Sequence, residues 1–265
     1  MAITSIIPKN WSPTLLDVYK RPLLFLALAG RDYEAELLEY GDTVHIGALT
    51  PCTVRPYVAG TALAAPESLS GTDRTLVLDH SVYSHVQVKD TEAAEARVNL
   101  VEETKKIMLR RFDEDLETYV LETITEGAGI TGSMDVSSDL YPQVLGMIMS
   151  MMARNCQLRG TALILPYNMY GAMAQSESFG ASAAAPSAAG MKRGALCSII
   201  GVDFYYSNDL VDQCVGLAPG ALQVASRVSL ETYRIDADFA TGIKGFCLSG
   251  AKIVQSDGCA VYSLS

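Results

Sequence analysis

Residues 90–126 read DTEAAEARVNLVEETKKIMLRRFDEDLETYVLETITE, with no Gly or Pro between Thr91 and Glu126. Apolar residues recur at three- and four-residue steps: Val98, Val101, Met108, Phe112, Leu116, Tyr119 or Val120, and Ile124. Lys105 interrupts the stripe once. This period predicts one uninterrupted amphipathic helix. Such a helix would be roughly 50 Å long, longer than most small domains are wide, which implies an elongated, plate-like body. Gly127, Ala128 and Gly129 then end it.

The face opposite the stripe is charged. Glu102 precedes Lys106, and Arg110 precedes Glu114, at i,i+4 spacing; such exposed pairs contribute about 0.2–0.5 kcal/mol each. Asp113 and Glu117 fall on the same face and read as solvated acids, not as an acid–base pair. The helix alone fits either a solvated face on a long core helix or the backbone element of a shell subunit.

Composition narrows the class. With 265 residues the chain can form one large domain or two small ones. A hydrophobic content of 49% excludes a disordered tail. The longest apolar run, Leu23 to Ala29, is far short of the roughly 20 residues that cross a bilayer. Met1 to Lys9 has no basic stretch leading into an apolar core, so the expectation is a protein made in a cytoplasm without a signal peptide. The net charge of −10 argues against a direct nucleic-acid reader, which draws on clustered Lys and Arg. It is compatible with a container whose acidic wall does not adhere to nucleic acid inside. Cys52, Cys156, Cys197, Cys214, Cys247 and Cys259 contain no CxxC pair and no zinc spacing. They read as reduced, mostly buried thiols, with cross-subunit disulfides after release as the alternative.

Ahead of the helix, Ser12-Pro13 is a helix start followed by a short helix to Arg21, and Leu23 to Ala29 runs on to Gly30. Trp11, the only Trp, anchors this arm either on a neighbour or on its own core. Thr43 to Leu49 reads as a strand and Asp73 to Lys89 as a second extended run. Between them, Thr50 to Thr72 is rich in Pro, Ala, Gly and Ser. A connection of that length inside a compact domain is unusual. It reads as an extended hairpin arm reaching away from the body, or else as a surface loop.

Beyond the helix, Leu140 to Cys156 is a Met-rich helix, adaptable core or a partner groove. Thr161 to Leu165 is a buried strand ending at Pro166, and Tyr167 to Ser176 is a helix. Residues 180–190 are Ala/Ser-rich and loop-like. Ile199 to Tyr206, Ala221 to Leu230, Gly245 to Val254 and Ala260 to Leu264 read as strands.

Catalytic motifs are missing. Gly127 to Gly132 matches GxGxxG by letter, but it follows a helix and enters a loop, the reverse of the dinucleotide-binding order. There is no GxxxxGK[ST], GxSxG or HExxH. His80 and His85 are five apart on one strand and face opposite sides; with His45 they read as ordinary strand residues. No catalytic, cofactor or metal-binding residue is assigned.

The order of features carries a resemblance. Trp11-Ser-Pro-Thr-Leu-Leu, Gly30-Arg-Asp-Tyr-Glu34 and Gly41-Asp-Thr-Val44 lead into the Pro/Gly-rich arm, then Val88-Lys-Asp90 and the long helix. Ala162-Leu-Ile-Leu-Pro166 with Tyr170, and Ile200-Gly-Val-Asp-Phe-Tyr-Tyr-Ser-Asn208, follow. In this order and spacing, from about Trp11 to Leu264, the chain resembles the major capsid (coat) proteins of tailed phages. The resemblance implies an α+β, Hong Kong 97-type fold. Residues 1–40 would be the N-arm and 41–89 the extended loop with its flanking strands. Residues 90–127 would be the spine helix of the peripheral domain, 128–230 mainly the axial domain, and 231–265 strands returning toward the peripheral domain. It implies a shell of pentamers and hexamers around packaged double-stranded DNA, with no cofactor, no membrane and no sequence-specific DNA contact. The partners would be further copies of the chain, a separate scaffolding protein, a portal and decoration proteins. The place would be the virion capsid, assembled in the host cytoplasm. Trp11, Arg55, Tyr57 and Glu67 are the candidate inter-subunit contacts. Two other readings compete: an encapsulin-like nanocompartment shell around protein cargo, and a soluble α/β enzyme or binder.

Overall fold

The computed structural model describes residues 21–37, 39–49, 52–57, 59, 65–68, 70–95, 99–136, 139–174, 195–235 and 238–265. The expected helix from Thr14 lies outside the described residues except for its last residue, Arg21, and the Ala/Ser-rich stretch 180–190 lies outside them entirely.

The long helix is the first correction. It is two helices: α2 (Asp90–Glu95) and α3 (Leu100–Gly127). The physical reason is Asn99. Its side chain accepts from the Glu102 N–H and caps α3, with Glu102 and Glu103 in the first turn. Asn favours such a cap over a helix interior, and acids there complement the helix dipole. From Met108 onward the stripe is as read: Met108, Phe112, Leu116, Val120 and Ile124 are buried; Val101 is half-buried, and Val98 lies outside the described residues.

α3 packs on a three-stranded antiparallel sheet of β3 (His80–Lys89), β10 (Ala240–Ile253) and β9 (Leu222–Ile235), with β10 in the middle. Val88, Met108, Phe112, Ile243 and Cys247 form the buried seam. Gly245 lets Phe112 and Leu230 close over β10; a Cβ there would lie 2.8 Å from either ring or methyl carbon.

The second body is a six-stranded sheet in the order β4-β11-β8-β5-β7-β6. It comprises β4 (Ile130–Met134), β5 (Ala162–Pro166), β6 (Cys197–Ile199), β7 (Val202–Ser207), β8 (Gln213–Leu217) and β11 (Cys259–Leu264). β5 is buried at all five residues, as a short apolar run in a central strand should be. Around it pack α1 (Leu24–Leu28), α4 (Leu140–Ala153) and α5 (Tyr167–Ala174), which share one core with β5, β7, β8 and the second half of α3. Met147 and Met151 of α4 are in that core, whereas Met149 and Met152 are exposed. The first pair bears out the core reading; no partner is present to test the groove reading of the second.

The structure departs from the sequence reading in three places. Gly127 to Gly132 does not enter a loop: residues 130–134 are β4, parallel to β11. β6 and β8 carried no clear alternation, because β8 is buried on both faces. Asp73 to Lys89 is two strands. Among the described residues, β2 (Gly71–Val77) pairs only with β1 (Thr43–Leu49), and β3 belongs to the three-stranded sheet. The handover happens at Leu78-Asp79, where Gly250 permits close approach; a Cβ on it would sit 2.0 Å from the Val77 carbonyl oxygen.

Candidate assembly surface

The strands β1 and β2 form a hairpin arm in register from Thr43↔Val77 to Leu49↔Gly71. At its root, Gly41 N–H donates to the Leu78 carbonyl and Leu78 N–H to the Asp42 carbonyl. A small apolar cluster of Leu37, Ile46, Leu76, Leu78 and Ala225 seats it. Outward from there the arm has little core. His45 Nδ1 lies 2.6 Å from Asp73 Oδ2 across the two strands.

Further out, the arm's two limbs meet at Glu67. The Arg55 guanidinium donates to Glu67 Oε1 at 2.9 Å, and the Thr53 N–H donates to Oε2 at 3.1 Å. The structure thus brings together two of the four candidate contacts. Tyr57 is 75% exposed and Val54 91% exposed. Trp11 lies outside the described residues. Cys52, which sequence reading placed among mostly buried thiols, is exposed on this arm, while Cys197, Cys214, Cys247 and Cys259 are buried and Cys156 is half-buried.

The charged face of α3 also differs from expectation. Glu102 pairs with Lys105 at 2.9 Å and Glu103 with Lys106 at 2.7 Å, both i,i+3; Glu114 takes Arg110 as read and Arg111 as well. Lys105 reaches from the stripe to Glu102, as a long side chain with an apolar stem can.

Glu117 is a correction of a different kind. It is not solvated but fully buried. Its two oxygens accept from the N–H groups of Phe25 and Leu26 at 2.7 and 3.0 Å. Helix α1 has no cap from its own Leu23, so Glu117 supplies the missing acceptor from across the fold. Burial pushes the Glu117 carboxyl above its ordinary range; the backbone N–H groups of Leu26, Phe25 and Leu24 pull it down, and nearby Asp209 raises it. Arg21 pairs with Asp209 at 2.9 Å, and the Arg110 guanidinium donates to the Arg21 carbonyl. Together these groups strap residues 21–26 onto α3. One signal was present in the sequence: Glu117 has no Lys or Arg three or four residues away on either side.

Large apolar side chains stand exposed on the body too. Tyr83 (79%) and Phe246 (44%) are cross-strand partners on the three-stranded sheet, and Met149 and Met152 project from α4. A cleft of about 440 Å³ is lined by Leu121, Glu122, Glu126, Asp209, Leu210 and Asp212 among others. No group of three or more His, Cys, Asp or Glu suited to a metal ion occurs among the described residues.

No protein-family model matches the chain, and no curated protein sequence matches it. Solved structures do match. A structure from Mycobacterium phage Che8 is similar over 98% of this chain and 98% of its own, at 21% identity and a TM-score of 0.76. The capsid structure of cyanophage P-SCSP1u covers 100% of this chain and 95% of its own, at 12% identity and a TM-score of 0.76. The capsid of Ralstonia phage GP4 covers 98% and 94%, at 12% identity and a TM-score of 0.68. From its arm to its C-terminal strand, the chain has the α+β fold of phage capsid structures.

Proposed function

We propose that this chain is the major capsid protein of a tailed phage, a structural subunit of Hong Kong 97-type arrangement and not an enzyme. The observation that carries the reading is likeness over whole chains: the matches to phage structures cover 98% and 100% of this chain and 98% and 95% of theirs. In this reading the chain assembles into pentamers and hexamers of a closed icosahedral shell around double-stranded DNA. Repeated heterologous contacts that close into rings build such capsomers.

The three-stranded sheet with α3 is then the peripheral domain, and the six-stranded sheet with α4 and α5 the axial domain. β9 crosses residue 230 without a break, and β11 lies in the six-stranded sheet; the axial domain would therefore include residues 259–264. The hairpin arm, with Arg55, Tyr57 and Glu67, and the N-arm, with Trp11, would make contacts between subunits. A separate scaffolding protein, a portal and decoration proteins would be its partners, in a virion capsid assembled in the host cytoplasm. An interior wall formed by the acidic α2–α3 region, with ten acidic and five basic residues between Glu92 and Glu126, would confine DNA without adsorbing it.

Size-exclusion chromatography with light scattering tests the class of function. Capsomer- or shell-sized species, formed alone or with the scaffolding protein, are expected. A monodisperse monomer under every assembly condition would count against the reading. DNA inside shells purified from infected cells distinguishes a virion from a compartment with protein cargo.

A further inference from the structure

The outer edge of β9 is satisfied in its first part and bare in its second. At its start, Gly30 N–H donates to the Leu222 carbonyl and Val224 N–H to the Gly30 carbonyl. Ser226 N–H donates to Glu34 Oε1 at 3.4 Å. In an antiparallel sheet the backbone groups of alternate residues point to the same side of a strand. The N–H and C=O groups of Val228, Leu230 and Thr232 therefore face that side as well. They have no hydrogen-bond partner among the described residues. β9 runs beside β10 from Leu222↔Ile253 to Ile235↔Ala240 without a slip, so no bulge turns this edge away. No proline interrupts it. Bulges, prolines and short length are the usual ways of blunting an edge, and an edge without them is a template for another strand. The edge strands of the six-stranded sheet, β4 and β6, are only five and three residues long.

We propose that the bare part of β9 is a contact for a second copy of this chain, whose own β9 adds to it antiparallel across a two-fold axis at Leu230. Such a contact is isologous and closes on itself; β9 against a neighbour's β3 would be heterologous and open-ended. Side-chain chemistry selects the register, because directly opposed residues interact and like charges there repel. With the axis at Leu230, Val228 lies opposite Thr232, Ser229 opposite Glu231, and Arg227 opposite Tyr233 and diagonal to Glu231. A serine hydroxyl then meets a carboxylate and the cation meets a ring and an acid. The outward backbone groups of Val228, Leu230 and Thr232 all find partners. Moving the axis to Ser229 would set Thr232 against Ser226, whose N–H already serves Glu34. Moving it to Glu231 would set that carboxylate against itself. The contact joins free subunits and does not rest on the capsid reading, so shell formation is not its readout.

Disulfide trapping tests the edge and the register together. Replacing Cys52 and Cys156 by Ser leaves the four buried cysteines. Ser229→Cys and Glu231→Cys are then made separately in this background and held at high protein concentration in a glutathione redox buffer. Residues opposed outside the hydrogen-bonded pairs are about 4.5 Å apart at Cα, within disulfide reach. A covalent dimer should form when the two variants are mixed and in neither variant alone. Thr232→Pro, added to both, removes an outward N–H at an edge position where proline is tolerated. It should lower the mixed-dimer yield by about tenfold, with far-UV circular dichroism unchanged. A dimer from Ser229→Cys alone or Glu231→Cys alone overturns the register. No dimer in any of the three samples overturns the contact itself, whether or not the proline variant folds.

Discussion

The six-stranded sheet and the hairpin arm are built from similar strand-forming residues, yet they solve opposite problems. In the sheet, β5, β7 and β8 lie between neighbours on both edges and are covered on both faces, with Leu163, Ile164, Phe204 and Val215 fully buried. In the arm, two strands pair only with each other, and side chains as large as Val54 and Tyr57 face solvent. An isolated two-stranded ribbon is marginal in water. The sheet holds the subunit together; in the proposed capsid reading, the arm takes its further contacts from neighbouring subunits. Strand propensity therefore says little about where stability resides; neighbours decide it.

That contrast can be broken most sharply at Phe204. Phe204→Ala removes a fully buried ring from the body's core and should cost about 3–5 kcal/mol, read as a fall in the denaturation midpoint or loss of soluble protein. Phe112→Ala, in the seam between α3 and the three-stranded sheet, should fall in the same range. A cost below about 1 kcal/mol at both sites would mean the core has been misassigned.

Next comes the strap. Glu117→Gln keeps one acceptor oxygen but turns an amide N–H₂ toward the α1 backbone donors, at a cost of about 1–3 kcal/mol. It also carries a pH signature. The carboxyl is held above its ordinary range, so the folded state takes up its proton more readily than the unfolded state. The group's contribution is complete below the ordinary carboxylate range and is lost as pH rises through the raised value. Glu117→Gln should therefore remove part of the stability loss measured as pH rises above the ordinary carboxylate range. An unchanged pH profile would show that Glu117 is not the titrating group.

The arm sits at the small end for subunit stability. Arg55→Ala breaks the pair with Glu67, about half exposed on both sides, and should change subunit stability by no more than about 1 kcal/mol. Replacing residues 54–69 with a short Gly/Ser link should likewise leave a folded subunit, yet abolish stable shells. Normal, heat-stable shells from that variant would remove the arm from assembly.

Much of the fold was legible in the sequence where one period dominated. The stripe on α3 and the buried run of β5 depend on local spacing. The break at Asn99 was not read, because a cap inside an apolar repeat is a single polar residue against a long pattern. β8 escaped because strands buried on both faces do not alternate. Glu117 and the Tyr119–Asp79 hydrogen bond were hidden for a different reason. Phe25 and Glu117 are 92 residues apart, and Tyr119 and Asp79 are 40 apart, so only the fold makes them neighbours. Within the arm, Arg55, Tyr57 and Glu67 could be named from an unusual connection, but the Arg55–Glu67 pairing required the hairpin register.

DNA binding tests the acidic wall. Isolated subunits should bind duplex DNA weakly and without sequence preference at physiological salt, since few phosphate contacts leave little counterion release to draw on. Sub-micromolar, sequence-selective binding in a filter assay would contradict the container reading.

Electron microscopy of the purified protein, expressed alone and with its neighbouring phage genes, tests the central claim most directly. Closed icosahedral shells should appear, with pentameric and hexameric capsomers into which the subunit fits with its arm lying across a neighbour. Particles limited to monomers or small compact oligomers in every preparation would contradict it.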